Sequence, residues 1–134
     1  MPFLKLRYHI VTGTYKGLNL ITPEIEPHLY KLLQSEAMEL NGKFIALGGV
    51  ENHVHGVAIV PASIALSEFV QKVKANSSRK INKAHSTGNE FAWQKGYGAF
   101  TLDPRNMTPI IQYVKNQKHH HSENSLIKHL EKRG

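Results

Sequence analysis

Apolar and polar residues alternate over residues 4–10, the period-two pattern of a β-strand with one face against a core. Residues 44–50 and 54–60 are two further β-prone runs, and Glu51 and Asn52 between them predict a hairpin whose second strand carries the histidines that follow. A fourth strand fits residues 97–101.

Three longer segments have apolar residues at helical spacing. The first begins at Thr22, a cap hydroxyl followed by a proline, and ends near Asn41, before a glycine. The second covers residues 66–81 and has a lysine-rich opposite face, and the third begins at Asp103, again before a proline. The tail, residues 122–134, is predicted as a weaker and mobile helix.

The order strand, helix, strand, strand, helix, strand predicts an α+β fold of the ferredoxin-like βαββαβ type. In that fold an antiparallel sheet has helices on one face, and here a further C-terminal helix carries Tyr113. Val57 and Ile59 fall on the other face, so we expect this helix to cover it, from the same chain or from a partner. A length of 134 residues predicts one domain, 1–134.

The chain is basic, with 17 Lys and Arg against 10 Asp and Glu, a formal net charge of +7. This balance favours polyanionic partners, although solvated helix faces explain the charge equally well. The basic residues that we predict to contact nucleic acid are Arg7, Lys72, Lys74, Arg79, Lys80, Lys83, Lys115 and Lys118.

The absence of cysteine excludes disulfides, thiolate zinc sites and thiol nucleophiles, and it fits a reducing cytosol. The first residues do not resemble a secretion signal, and no apolar run approaches bilayer length. We therefore expect a cytoplasmic protein that has no membrane partner.

The candidate chemistry lies in two pairs of residues. His53 and His55 flank one apolar residue in a predicted strand, so both rings project to the same face, where they can bind one metal ion. Tyr113 and Gln117 lie four apart in a predicted helix and share a face, where the amide oxygen offers a third ligand. Such a mixed nitrogen and oxygen site suits Mg²⁺ or Mn²⁺, and a phenol beside it suggests phosphoryl transfer. The alternatives are a packed or solvated histidine pair and an ordinary helix-edge tyrosine.

The remaining motifs have structural interpretations that need no catalytic role. The run His119, His120 and His121 is predicted as exposed polar surface after the third helix. The aromatic residues of the 93–100 segment either stack bases or close the core under the fourth strand, and the second is favoured. No glycine-rich phosphate-binding loop is present, so nucleotide hydrolysis is not predicted.

Taken in order, these motifs resemble a family, the single-tyrosine transposases of the HUH superfamily, and especially the REP-associated kind found in bacteria. The segments that carry the resemblance are residues 8–11, 49–55, 74–78, 91–100 and 113–117. The resemblance implies that His53, His55 and Gln117 bind a divalent cation, Mg²⁺ or Mn²⁺. It also implies that Tyr113 attacks single-stranded DNA and forms a 5′-phosphotyrosine, and that the protein is a homodimer that recognises DNA hairpins.

The chain departs from the family pattern at two places. Relatives usually have a basic stretch after the first strand, whereas residues 14–19 contain a single lysine, and Asn52 stands where an Asp often precedes the first histidine. Two alternatives remain open. One is a non-catalytic RNA-binding module of the RRM type, suggested by residues 95–98, and the other is a degenerate transposase that only binds DNA.

Overall fold

The computed structural model describes residues 5–85, 90–122, 128–131 and 133. It has four strands, four α-helices and two short 3₁₀ turns within that part of the chain. In chain order the strands and α-helices are β1 (Lys5–Gly13), α1 (Glu26–Glu39), β2 (Lys43–Val50), β3 (His53–Pro61), α2 (Leu66–Ala84), β4 (Gly98–Thr101), α3 (Met107–Lys115) and α4 (Gln117–Ser122). The 3₁₀ turns are Tyr15–Gly17 and Lys128–Glu131.

The four strands form one antiparallel sheet in the order β2-β3-β1-β4, which confirms the predicted α+β fold. One face packs against α1 and α2 and contains the main core, in which Leu29, Phe69 and Ile81 are fully buried. Burial of these large apolar side chains stabilises the sheet and helix layers against each other.

The other face of the sheet is covered by α3. Val114 of α3 packs with Ala46 and Val57 in a second, smaller cluster. The predicted cover for the free face is therefore supplied by the same chain. Among the described residues, no helix is both long enough and apolar enough to cross a membrane.

The predicted starts of the first and third helices lie too early in the sequence. The Thr22 carbonyl accepts the N–H of Glu26 at 2.9 Å and closes a turn, so that α1 begins only at Glu26. The Asp103 carboxylate accepts the N–H of Arg105 at 2.8 Å in a similar turn, and α3 begins at Met107. In both cases the cap residue closes a turn that precedes the helix instead of starting it.

The tail also differs from its prediction. Ser122 ends α4 instead of opening a new helix, and residues 128–131 form a 3₁₀ turn in which Leu130 is buried. Leu126 and Ile127, the other apolar residues of the predicted tail helix, lie outside the described residues.

Candidate active site

Alternation along β3 places His53 and His55 on the face that α3 covers. Both rings are almost fully buried, and their centroids lie 5.1 Å apart. The Nε2 atom of His53 lies 3.1 Å from Oε1 of Glu131, and that of His55 lies 3.0 Å from the same oxygen. Two imidazoles and one carboxylate oxygen therefore converge on one small volume.

Each histidine is held from behind through its other ring nitrogen. Nδ1 of His53 lies 2.8 Å from the Asn52 amide oxygen, and Nδ1 of His55 lies 2.8 Å from Nε2 of the buried His9. An amide oxygen only accepts hydrogen bonds, so the ring of His53 presents an N–H to it. Such contacts fix the ring orientation and are typical of metal-binding histidines.

The cluster fits a divalent cation on geometric grounds. In an octahedral Mg²⁺ site with bonds of about 2.0–2.1 Å, neighbouring ligand atoms lie about 3 Å apart. Oε1 of Glu131 lies at this distance from each of the two nitrogens, and the three ligand atoms lie within 4.8 Å of one another. Burial lowers the pKa of His55 although Glu131 opposes the shift, so the neutral, metal-binding form of the ring is favoured. His53, His55 and Glu131 can thus hold a cation together.

Tyr113 reaches this cluster from α3. Its hydroxyl donates a hydrogen bond to Oε2 of Glu131, while Oε1 of the same carboxylate contacts both histidines. The ring lies edge-on to His55, with centroids 5.9 Å apart, and is buried. The tyrosine and histidines that the sequence predicts as one site are therefore neighbours within a single chain.

The approach of α3 depends on Gly48, which lies beside His55 in the β2–β3 register. An ideal Cβ at this position would lie 1.9 Å from the carbonyl oxygen of Val114. Only glycine allows the helix backbone to come this close to the strand, and Tyr113 is the residue before that contact.

Gln117 is not on the same helix as Tyr113, contrary to the prediction. The helix breaks at Asn116, and Gln117 begins α4. Its side chain is nevertheless buried beside the cluster, where Nε2 donates to the Tyr113 carbonyl at 3.1 Å and Oε1 lies 3.2 Å from Nε2 of His121. The amide oxygen thus faces the histidine cluster through His121, whose Nε2 is 3.1 Å from Nε2 of His53.

The predicted exposed surface at residues 119–121 is correct for His119 and wrong for the next two histidines. His120 stacks on Tyr113 with centroids 4.5 Å apart, and His121 contacts His53. Because α4 continues along the sheet immediately after α3, it turns these two rings toward the site. Burial and then the neighbouring His53 lower the pKa of His121.

Glu131 is the site residue that sequence reasoning missed. Burial acts to raise its pKa, but the contacts with His53, His55 and Tyr113 outweigh burial and hold the pKa well below its usual range. Its position depends on how the tail folds back after α4. The sequence around this carboxylate in the basic tail forms no motif that could have identified it.

Five of the eight predicted nucleic-acid contacts lie on α2, in the layer opposite the histidines. These are Lys72, Lys74, Arg79, Lys80 and Lys83. Lys72 pairs with Glu68 at 2.9 Å and Lys80 with Glu36 at 2.5 Å, while Arg79 and Lys83 are exposed. That these five basic residues contact DNA is still a prediction.

The other three lie on the side of the site. Arg7 shares the sheet face of His9, and Lys115 is exposed at the end of α3. Lys118 pairs with Glu26 at 2.7 Å and lines a cavity of about 570 Å³ together with His53. These three cations therefore lie on the histidine side of the sheet, and their predicted role as DNA contacts is likewise still a prediction.

The aromatic residues of the 93–100 segment divide between the two faces. Trp93 and Tyr97 pack against the core on the α-helical side, as the favoured interpretation has it. Phe100 instead packs against His9 on the side of the site, with centroids 5.6 Å apart.

Comparisons with known proteins agree with this picture. Residues 3–117 match the family model described as IS200-like transposase. The fold resembles that of a candidate transposase from Deinococcus radiodurans R1, at 22% identity and a TM-score of 0.68, over 87% of this chain and 93% of that chain. It also resembles a REP-associated tyrosine transposase bound to a REP hairpin, at 12% identity and a TM-score of 0.64, over 96% of this chain and 74% of that chain. A search of curated protein sequences found no match.

Proposed function

Because the chain belongs to the family of IS200-like transposases, we propose that it cleaves single-stranded DNA and transfers the cut strand through a 5′-phosphotyrosine at Tyr113. The observation that carries the proposal is the shared carboxylate of Glu131. Its two oxygens are contacted by the Tyr113 hydroxyl on one side and by His53 and His55 on the other. A nucleophile and a candidate cation site thus lie next to each other, and metal-assisted phosphoryl transfer uses both.

The cation would be held by His53 and His55, with Glu131 and the Gln117 amide oxygen as further candidate ligands. When bound, a Mg²⁺ or Mn²⁺ ion neutralises charge on the phosphodiester oxygens. Mg²⁺ or Mn²⁺ is favoured over structural zinc because the donor set combines nitrogen with oxygen atoms.

The transfer needs one bond to form and one to break. The phenolic oxygen of Tyr113 attacks phosphorus and forms the new oxygen–phosphorus bond, and the bond from phosphorus to the 3′-oxygen breaks. The phenol gives up its proton to solvent water and the departing 3′-oxygen gains a proton, so the protons balance. The contacting Glu131 carboxylate accepts a hydrogen bond from the phenol and orients its oxygen. Attack by a new 3′-hydroxyl on the phosphotyrosine reverses these steps and joins the strands without a nucleotide cofactor.

The proposed substrate is single-stranded DNA that contains a hairpin, acted on in the cytoplasm. Its support is the net charge of +7 and the likeness to a fold whose solved relative is bound to a REP hairpin. A second copy of the chain is a further proposed partner, although Tyr113 contacts Glu131 and lies beside His55 of its own chain.

The test is adduct formation. Purified protein incubated with a labelled single-stranded oligonucleotide and Mn²⁺ should give a conjugate that survives denaturing electrophoresis. Tyr113→Phe should abolish the conjugate and leave DNA binding unchanged, because only the attacking oxygen is removed. Tyr15→Phe, at a tyrosine with 48% exposure, is the matched control and should react like the wild type. Equal adduct yield from Tyr113→Phe would remove the nucleophile assignment.

The alternative to this proposal is a degenerate transposase that only binds DNA, since the proposed catalytic groups could all persist without turnover. A protein that binds the oligonucleotide in both variants and forms no conjugate with either Mg²⁺ or Mn²⁺ would be such a degenerate transposase.

A further inference from the structure

A cavity of about 580 Å³ lies between α2 and the segment 92–97, outside the site described above. Its volume falls within the range of about 300–1,000 Å³ that is typical of small-molecule sites. Trp93 and Tyr97 line it together with Val70, Lys74, Gln94 and Lys95. We call this cavity the Trp93 pocket.

The lining fits a flat aromatic group that carries negative charge nearby. Two aromatic side chains and Val70 provide apolar surface, while Gln94 and the two lysines provide hydrogen-bonding groups and positive charge. None of the described lining residues is acidic, which disfavours a metal ion or a cationic ligand. A nucleobase with its phosphate has this combination of an apolar face, polar edges and an anionic group.

The pocket is held in shape by contacts outside its opening. Nε1 of Trp93 donates to the Ser77 hydroxyl at 3.1 Å, and the indole lies edge-on to Phe91 with centroids 4.9 Å apart. Nζ of Lys74 donates to the carbonyls of Gln94 at 2.7 Å and Gly96 at 2.9 Å, which fixes the segment between the two aromatic residues. A preformed aromatic surface loses little conformational entropy when a ligand binds.

The Trp93 pocket and the candidate active site both adjoin the end of β1. The N–H of Gln94 donates to the Gly13 carbonyl at 2.8 Å, and Gly13 is the register partner of His53 on the neighbouring strand. The Gln94 side chain also donates to the carbonyl of Arg133, which lines the other cavity beside His53 and His121. A strand with its phosphate at Tyr113 can therefore pass this edge of the sheet with a nearby nucleotide at the pocket.

From these observations we infer that the Trp93 pocket binds one unpaired nucleobase of the DNA strand that flanks the phosphodiester at Tyr113. The identity of the strand rests on the proposed function, whereas the binding of a base rests on the pocket itself. The role assigned to Tyr97 and Trp93 is to stack on the base, and that of Lys74 is to hold the segment that carries them. Lys95, which is exposed, is the cation available to the adjacent phosphate.

Trp93 is the single tryptophan of the chain, so its fluorescence reports the pocket directly. The probe is oligothymidylate of about 10 nucleotides, within the roughly 4–16 nucleotides of typical single-strand sites, with oligodeoxyadenylate as a second sequence. We expect either oligonucleotide to quench the fluorescence. An abasic oligonucleotide of the same length should quench far less, because it keeps the phosphates and lacks the stacking rings. Equal quenching by the abasic chain would overturn the inference.

Variants at Tyr97 test the pocket without removing the reporter. Tyr97→Leu should weaken oligonucleotide binding by about 5-fold to 150-fold, the usual effect of losing one stacked base. Tyr97→Phe keeps the ring and should bind like the wild type, as should Tyr15→Leu at an exposed tyrosine that does not line the pocket. A folded Tyr97→Leu protein with wild-type affinity would exclude the pocket as a base site.

Adduct formation separates this inference from the proposed function. Conjugate formation at Tyr113 with no base-dependent change at Trp93 would refute the pocket and leave the enzyme proposal standing. Base-dependent quenching without any conjugate would support the pocket and count against the enzyme proposal.

Discussion

The contact between β2 and α3 makes a direct test of how the site is assembled. Gly48→Ala places a methyl group where the Val114 carbonyl now lies, at an ideal separation of 1.9 Å. Restoring ordinary contact at about 3.4 Å requires the helix and strand to part by roughly 1.5 Å, because both atoms belong to rigid backbone. Tyr113 moves with the helix, whereas His55 stays in the sheet, so the nucleophile is displaced from the histidines.

A misplacement of about 1 Å costs roughly 100-fold in rate when the reacting atoms must be aligned. We therefore expect Gly48→Ala to form the tyrosine adduct about 100-fold more slowly. Its affinity for Mn²⁺ should change much less, since His53 and His55 remain on β3. Single-turnover adduct kinetics and calorimetric Mn²⁺ titration measure the two quantities.

The matched control is Gly42→Ala, the same substitution before β2 and away from α3. Its Cβ would lie 2.6 Å from the Ile59 carbonyl oxygen, so it should destabilise the fold without moving Tyr113. We expect its folded fraction to react at close to the wild-type rate. A folded Gly48→Ala protein that reacts within twofold of the wild type would refute the proposed dependence on helix approach.

Three further substitutions or titrations probe single groups. Glu131→Gln removes a negative charge from the cluster, so Mn²⁺ affinity should fall by about tenfold or more, while affinity for single-stranded DNA without a cation should rise. Calorimetry that shows neither change would contradict the proposal that this carboxylate binds the cation. His9→Leu removes the buried partner of His55 and should weaken Mn²⁺ binding by about 10-fold to 100-fold. His9→Gln should recover part of the affinity, because its amide oxygen can still accept a hydrogen bond from the His55 ring. Equal Mn²⁺ affinity in the wild type and both variants would exclude a positioning role for His9. Burial lowers the pKa of Lys74 to about 8, so NMR of methylated lysines should show one lysine that titrates near pH 8. Between about pH 8 and 10.5 the folded state then binds fewer protons than the unfolded state, so the contribution of Lys74 to stability should rise with pH over this range. Titration of Lys74 at the ordinary lysine pKa would refute this prediction.

The histidine pair could be predicted because strand alternation is a local property. Side chains that are two residues apart in a strand lie on the same face, whatever the rest of the chain does. The hairpin signal at residues 51–52 predicted where that strand begins. Tyr113 could be assigned to the same face because its helix had no other part of the sheet to cover. Glu131 could not be predicted, since its contact with these residues depends on the tertiary path of the tail and on no periodic pattern.

The break between α3 and α4 shows where spacing alone fails. Residues four apart share a face only in an uninterrupted helix, and Asn116 has no proline or glycine beside it to signal an interruption. Gln117 still reaches the cluster because its Nε2 bonds back to the Tyr113 carbonyl, which replaces the lost helical continuity with a side-chain contact. After this break, α4 carries His120, which stacks on the Tyr113 ring, and His121, which contacts His53. The same break that defeats the helical-spacing argument therefore builds the part of the site that the sequence pattern assigned to exposed surface.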